Sequence, residues 1–149
     1  MYRYISSSKS YKRVSNVIDK LNGSRYYFYD ANGNRRTSSG WKKVNGSTAY
    51  YVCDGGYVTS RYTDQKGTKK VYDFDYSKNT WVQKKNMWKT VYRSRYYFGS
   101  KGVATMSYNN STKKAYKFTG RKWKPAKKLI MKIGNANYYF NLSLIHISE

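Results

Sequence analysis

Four tryptophans, Trp41, Trp81, Trp88 and Trp123, are the residues of this 149-residue chain best suited to meet a ligand. An indole presents a wide apolar face that can lie flat against the axial hydrogens of a sugar ring, and tyrosine hydroxyls add hydrogen bonds at the edge. Tyrosines recur as the middle members of aromatic triplets, at Tyr27, Tyr51, Tyr97 and Tyr139. Cations recur as well, in the pairs Lys42-Lys43, Lys69-Lys70 and Lys113-Lys114, and again at Arg35-Arg36, Lys84-Lys85 and Lys127-Lys128. Rings beside ammonium groups suit a polymer that is both sugar-like and anionic. The balance of 30 Lys and Arg against 7 Asp and Glu, a net charge of +23, is spread along the chain rather than gathered in a tail.

Catalytic chemistry has little to draw on. The one histidine, His146, and the one glutamate, Glu149, both fall in the last eight residues, so the body of the chain lacks the usual general base and metal ligand. Asp30, Asp54 and Asp64 lie in or near turns, where a carboxylate stabilises the local backbone. Asp73 and Asp75 are two apart and share a strand face, where pairing with the surrounding lysines is the plain expectation. Cys53 has no histidine to activate it and no second cysteine to bond. Neither a phosphate-cradling glycine loop nor a metal-ligand spacing occurs. The expectation is a non-catalytic segment with no cofactor and no metal.

The terminal segment 142–149 breaks the polar, aromatic style of the rest and resembles the in-frame translation of a sequencing-library adapter. It is therefore set outside the fold, as a non-native scar would be, and the chain is expected to be a fragment whose natural part stops near Asn141. No apolar run approaches 18 residues, so no membrane-spanning helix is expected, and residues 1–17 carry no export-signal pattern.

The elements that must position the rings are legible from a repeat. Aromatic triplets stand at 26–28, 50–52, 72–74, 96–98, 116–118 and 138–140, their third members separated by 24, 22, 24, 20 and 22 residues. A fixed period in this range marks stacked supersecondary units. Alternation of period two around each triplet, with Tyr, Phe, Val, Thr and Trp, gives strands. Asn22-Gly23, Asn32-Gly33, Asn45-Gly46, Asp54-Gly55-Gly56, Lys66-Gly67 and Lys101-Gly102 supply hairpin turns. Helix is allowed only around residues 15–23. Two unit types alternate: one with a large apolar residue ten or eleven positions before the triplet's end (Ile18, Trp41, Trp88, Ile130), the other followed by Trp81 or Trp123. Together they give a super-repeat of 42–47 residues. The fold class expected is all-β, a solenoid of stacked β-hairpins with about six units of roughly 22 residues, little helix, and a linker or truncated repeat over 1–17. On each strand the middle Tyr faces away from its two neighbours, so one face packs and the other is available to a ligand.

The stretch 22–52 resembles the cell-wall-binding repeats of Gram-positive surface proteins, the group that includes choline-binding and glucan-binding repeats. Tyr26-Tyr27-Phe28, then Gly33, then Gly40-Trp41 follow that family's order, and Trp88 with Tyr96-Tyr97-Phe98 and Gly102 follows it again. The resemblance extends over 17–62 and 87–108, and in part over 63–86 and 109–129. It implies a β-hairpin solenoid outside the cell that anchors a larger protein to wall or capsular polysaccharide. Choline is the weaker candidate ligand. The family's cage-closing Trp before the Tyr pair is replaced by Arg25, Ala49, Arg95 and Asn137, and a cation there repels a quaternary ammonium. The lysine pairs point instead to teichoic acid or an acidic polysaccharide. A nucleic-acid-binding protein and a purely structural spacer stay open as alternatives, although no specific nucleic-acid motif is present.

Overall fold

The computed structural model describes residues 2–5, 7–13, 15–21, 25–126, 129–133, 136–141 and 144–148, with side chains described only within 2–126. Among the described residues every regular element is a β-strand. Among those residues no helix is long and apolar enough to cross a membrane. The all-β, repeated-hairpin class expected of the sequence is the one found.

The super-repeat is a five-stranded meander present twice. The first comprises β6 (Gly40–Lys43), β7 (Thr48–Val52), β8 (Val58–Gln65), β9 (Thr68–Asp75) and β10 (Thr80–Gln83). The second comprises β11 (Met87–Val91), β12 (Ser94–Phe98), β13 (Ala104–Asn109), β14 (Lys114–Phe118) and β15 (Trp123–Pro125). In both sheets spatial order follows chain order. Three smaller sheets do the same: β1 (Tyr2–Ile5) with β2 (Ser10–Arg13), β3 (Val17–Leu21) with β4 (Arg25–Tyr29) and β5 (Arg35–Arg36), and β16 (Leu129–Ile133) with β17 (Ala136–Asn141) and β18 (Leu144–Ser148). The terminal segment set apart in the sequence thus contains a strand, with Tyr139 opposite His146. The stretch that allowed a helix is β3. Its β-branched Val17 and Ile18 favour the pleat, and it pairs along its whole length with aromatic β4. The Asn22-Gly23 turn lies outside the described residues.

One turn is used three times. Asp30, Cys53 and Gly99 each follow an aromatic triplet or its next residue, and each donates its N–H to the carbonyl four residues on (Asn34, Tyr57, Val103) at 3.0 Å. Each then accepts from Gly33, Gly56 or Gly102 at 2.9 Å. These glycines have φ of 77°, 82° and 75°, a left-handed conformation that a side chain disfavours. At the strand end before the last two turns the register slips, between Tyr51 and Val52 and between Tyr97 and Phe98. Such a bulge re-aims the residue beside it, and Val52 and Phe98 are both fully buried.

The chain forms two compact units, residues 1–63 with 72–82 and residues 64–71 with 83–149. The first is built on Phe28, Val52 and Val58, with Ile18, Tyr26, Val44, Tyr50 and Trp81 packed against them. Within the second, Val71, Val91, Phe98, Ala104, Tyr108, Ala115 and Ala126 are buried. These cores hold few large buried side chains, so single polar ties carry weight.

Tyr76 makes such a tie in the first unit. Its hydroxyl donates to the Val58 carbonyl at 2.6 Å and accepts the Tyr26 N–H at 3.1 Å, joining β4 to β8. Burial raises its pKa above the usual phenol value. Because the folded state holds this proton more tightly, the contribution is complete below the unfolded pKa of about 10 and is lost as pH climbs through the higher folded value. Tyr76→Phe is expected to lower stability by about 1–2 kcal/mol in denaturant titrations at neutral pH, and to flatten the decline in stability on the alkaline side.

Candidate ligand-binding site

Each meander opens with a tryptophan facing a middle tyrosine across its first hairpin. Trp41 lies opposite Tyr51 and Trp88 opposite Tyr97, with ring centroids 5.4 Å apart in both. Interplanar angles of 63° and 54° leave the rings splayed rather than stacked. All four are half-buried. The next pair along the same face carries a cation in both copies, but on opposite strands: Lys43 faces Ala49 in the first, and Arg95 faces Thr90 in the second. A ring pair and a positive group therefore sit side by side twice. In β3–β4 the place opposite Tyr27 is held by Asp19, not by Ile18; Ile18 faces Phe28 and packs on the core, which corrects its alignment with the tryptophans. Tyr27 instead lies under the Arg35 guanidinium, 4.7 Å from its ring centre.

Trp81 and Trp123 occupy the other end of the meander. Trp81 packs on Phe74 at 5.1 Å and on Tyr50 at 6.0 Å, and the Arg61 guanidinium lies 4.7 Å from it. Trp123 stacks on its cross-strand partner Phe118 at 5.2 Å and 30°, meets Tyr96 at 6.0 Å, and donates its indole N–H to the Gly67 carbonyl at 2.9 Å. Lys69 reaches over this group, with its Nζ 5.4 Å from the Tyr96 ring and 5.9 Å from Trp123. Asp64 receives the Lys69 ammonium at 2.5 Å and the Gly67 N–H at 2.9 Å. An open cleft of about 260 Å³ remains beside these rings, lined also by Ser94, Ser107, Asn109 and Tyr116.

The lysine pairs do not share one setting. Lys42 faces Tyr50 and donates to the Ser38 hydroxyl at 2.9 Å. Lys69 and Lys70 lie on β9, whereas Lys113 sits in a turn at φ 60° and Lys114 begins β14 as an exposed residue. The side chain of Tyr139 and the Lys127-Lys128 pair lie outside the described residues. Carboxylates serve the backbone: Asp30 accepts amides of Asn32 and Asn34 together with the Arg36 guanidinium, and Asp75 accepts from Ser77 and Lys78. The Asn34 amide, first of these contacts, helps hold the Asp30 pKa below the carboxylate norm, as the Ser77 hydroxyl does for Asp75. Asp73 accepts the Ser60 hydroxyl at 2.6 Å. The sequence reading missed Arg61, which lies against Trp81 in the first unit, and Tyr96, Tyr116, Ser107 and Asn109, which line the cleft of the second. Strand register places each of them, and register is set by the bulges and turns.

No family model and no curated protein matches this chain. Among solved structures it is similar to a truncated alternansucrase from Leuconostoc mesenteroides at 16% identity and a TM-score of 0.32, covering 95% of this chain and 11% of that one. It is similar to choline binding protein F from Streptococcus pneumoniae, solved with a peptidoglycan analogue, at 19% identity and a TM-score of 0.29, covering 93% and 42%. A third is the modular autolysin LytC from Streptococcus pneumoniae, at 15% identity and a TM-score of 0.26, covering 97% and 36%. The chain thus spans from about a tenth to about two fifths of the length of these proteins.

Gly67 has φ 89°, and a Cβ there would stand 3.4 Å from the Phe118 ring and 3.6 Å from Trp123. Gly67→Ala is expected to cost about 1–2 kcal/mol through the left-handed backbone alone. The same substitution should loosen the indole bond, read as faster hydrogen exchange of the Trp123 indole N–H in NMR spectra.

Proposed function

We propose that this chain is a non-catalytic repeat module that holds a larger secreted bacterial protein to the cell envelope by binding an anionic wall polymer, a teichoic acid or acidic polysaccharide. One observation carries the reading: the half-buried Trp–Tyr pair with a cation on the same face, made at Trp41, Tyr51 and Lys43 and again at Trp88, Tyr97 and Arg95. Splayed rings offer apolar faces to sugar C–H groups, while the neighbouring ammonium or guanidinium meets a phosphate or carboxylate one unit along. Neutralising each anionic group releases bound counterions, so affinity falls as salt rises. Each contact is weak, and repetition along the polymer raises avidity without any new kind of contact. The net charge of +23 draws any polyanion; the rings confer preference for one made of sugars. Such a module works outside the cell, in the wall.

Sedimentation with purified Gram-positive cell walls tests this reading. Retention is expected on intact walls, to fall when teichoic acid is extracted, and to weaken with added salt. Trp41→Ala combined with Trp88→Ala should weaken retention tenfold or more, about 1.4 kcal/mol, at unchanged net charge. Equal retention on extracted walls removes the anionic polymer from the reading. Unimpaired retention of the double variant removes the rings and leaves a basic surface that treats nucleic acid and wall polymer alike.

A further inference from the structure

We propose that the cleft of the second meander, between Tyr96, Tyr116 and Trp123, takes a single uncharged pyranose unit, and that the equivalent place in the first meander is closed by Arg61. The proposal rests on the wall-polymer reading and adds where a neutral sugar of such a polymer is held.

The two meanders align strand for strand, and their registers identify the equivalent positions. Tyr50 faces Arg61 across β7 and β8, while Tyr96 faces Ser107 across β12 and β13. Ser107 in turn faces Tyr116 on β14. The side chain between the two tyrosine strands is therefore long and planar in one copy and short in the other. In the first copy the Arg61 guanidinium lies 4.6 Å from the centre of the Tyr72 ring and 4.7 Å from that of Trp81. Its Nε is buried without a hydrogen-bond partner, so stacking on rings accounts for its position. In the second copy Ser107 leaves the corresponding rings, Tyr116 and Trp123, facing an open cleft of about 260 Å³. That is just below the roughly 300–1,000 Å³ of sites for drug-sized ligands, the scale of one sugar ring.

The lining selects the ligand class. Tyr96, Tyr116 and Trp123 provide apolar plates, Ser94 and Ser107 provide hydroxyls that both donate and accept, as sugar hydroxyls do, and the Asn109 amide adds an N–H donor. Asn109 is already oriented: its Oδ1 accepts the amides of Ser111 and Thr112, and its Nδ2 donates to the Ser94 hydroxyl at 3.4 Å. A quaternary ammonium is disfavoured because Lys69 already stands before Tyr96 and Trp123. An anion gains little there, because Asp64 neutralises Lys69 at 2.5 Å. What remains is a ring with apolar faces and uncharged hydroxyls.

The test is NMR titration of the full chain with neutral trisaccharides of glucose, galactose and N-acetylglucosamine, following the Trp123 indole N–H, with choline chloride as a control. At least one trisaccharide should bind at one site per chain and move that signal, and choline should not compete. Ser107→Arg should weaken binding tenfold or more while keeping the wild-type melting temperature within a few degrees. Arg61→Ser, which needs no large side chain accommodated, should gain a second site. The proposal falls if no trisaccharide moves the Trp123 signal, if choline displaces the sugar, if a folded Ser107→Arg binds as wild type does, or if Arg61→Ser gains no site. Wall retention separates the two readings. A chain that still sediments with teichoic-acid-bearing walls but binds no trisaccharide overturns the cleft alone. A chain that binds a trisaccharide but does not sediment with walls overturns the wall-anchoring function alone.

Discussion

Burial of the third triplet residue, Phe28, Val52 or Phe98, decides where every neighbouring side chain points. These residues are 3%, 0% and 0% exposed, and the backbone bends to bring two of them inward through a one-residue slip in register. Once that residue is fixed inside, strand alternation turns the middle tyrosine to the other face, where Tyr51 and Tyr97 meet Trp41 and Trp88. The first tyrosine stays on the core side and joins the Trp81 or Trp123 cluster. One packing requirement thus sorts the rings of each hairpin into two groups. The turn that follows must reverse the chain at once, and the positive φ of Gly33, Gly56 and Gly102 allows it.

Much of this was legible in the amino-acid order because its signals are local. Triplet spacing, Gly turns and alternation located the hairpins, and the 42–47-residue super-repeat corresponds to the five-stranded meander. Counting back from the triplet put Trp41 and Trp88 at one place in the repeat, and strand register sets them opposite Tyr51 and Tyr97. The same count failed at Ile18, because the register of β3 and β4 places Asp19 opposite Tyr27 instead. Adjacent residues in a strand point to opposite faces, so Lys42 and Lys43 lie on different sides of β6. The helix allowed around 15–23 gave way to a strand because an aromatic partner strand outweighs a weak local preference. Arg61 and Ser107 carry no local signal at all; their equivalence exists only through cross-strand pairing.

The acidic residues show how a chain with so few carboxylates uses them. Asp30, Asp64 and Asp75 satisfy turn amides, and two of them also hold a cation, Arg36 or Lys69. Lys43 and Arg95, by contrast, lie on strands, one pair along from the Trp41–Tyr51 and Trp88–Tyr97 rings.

Near-duplication of the meanders also bears on how the chain reaches its native state. While nascent, β7 and β12 present almost the same pattern of rings, so each has a rival mate in the other copy, the hazard that makes tandem repeats prone to misassembly.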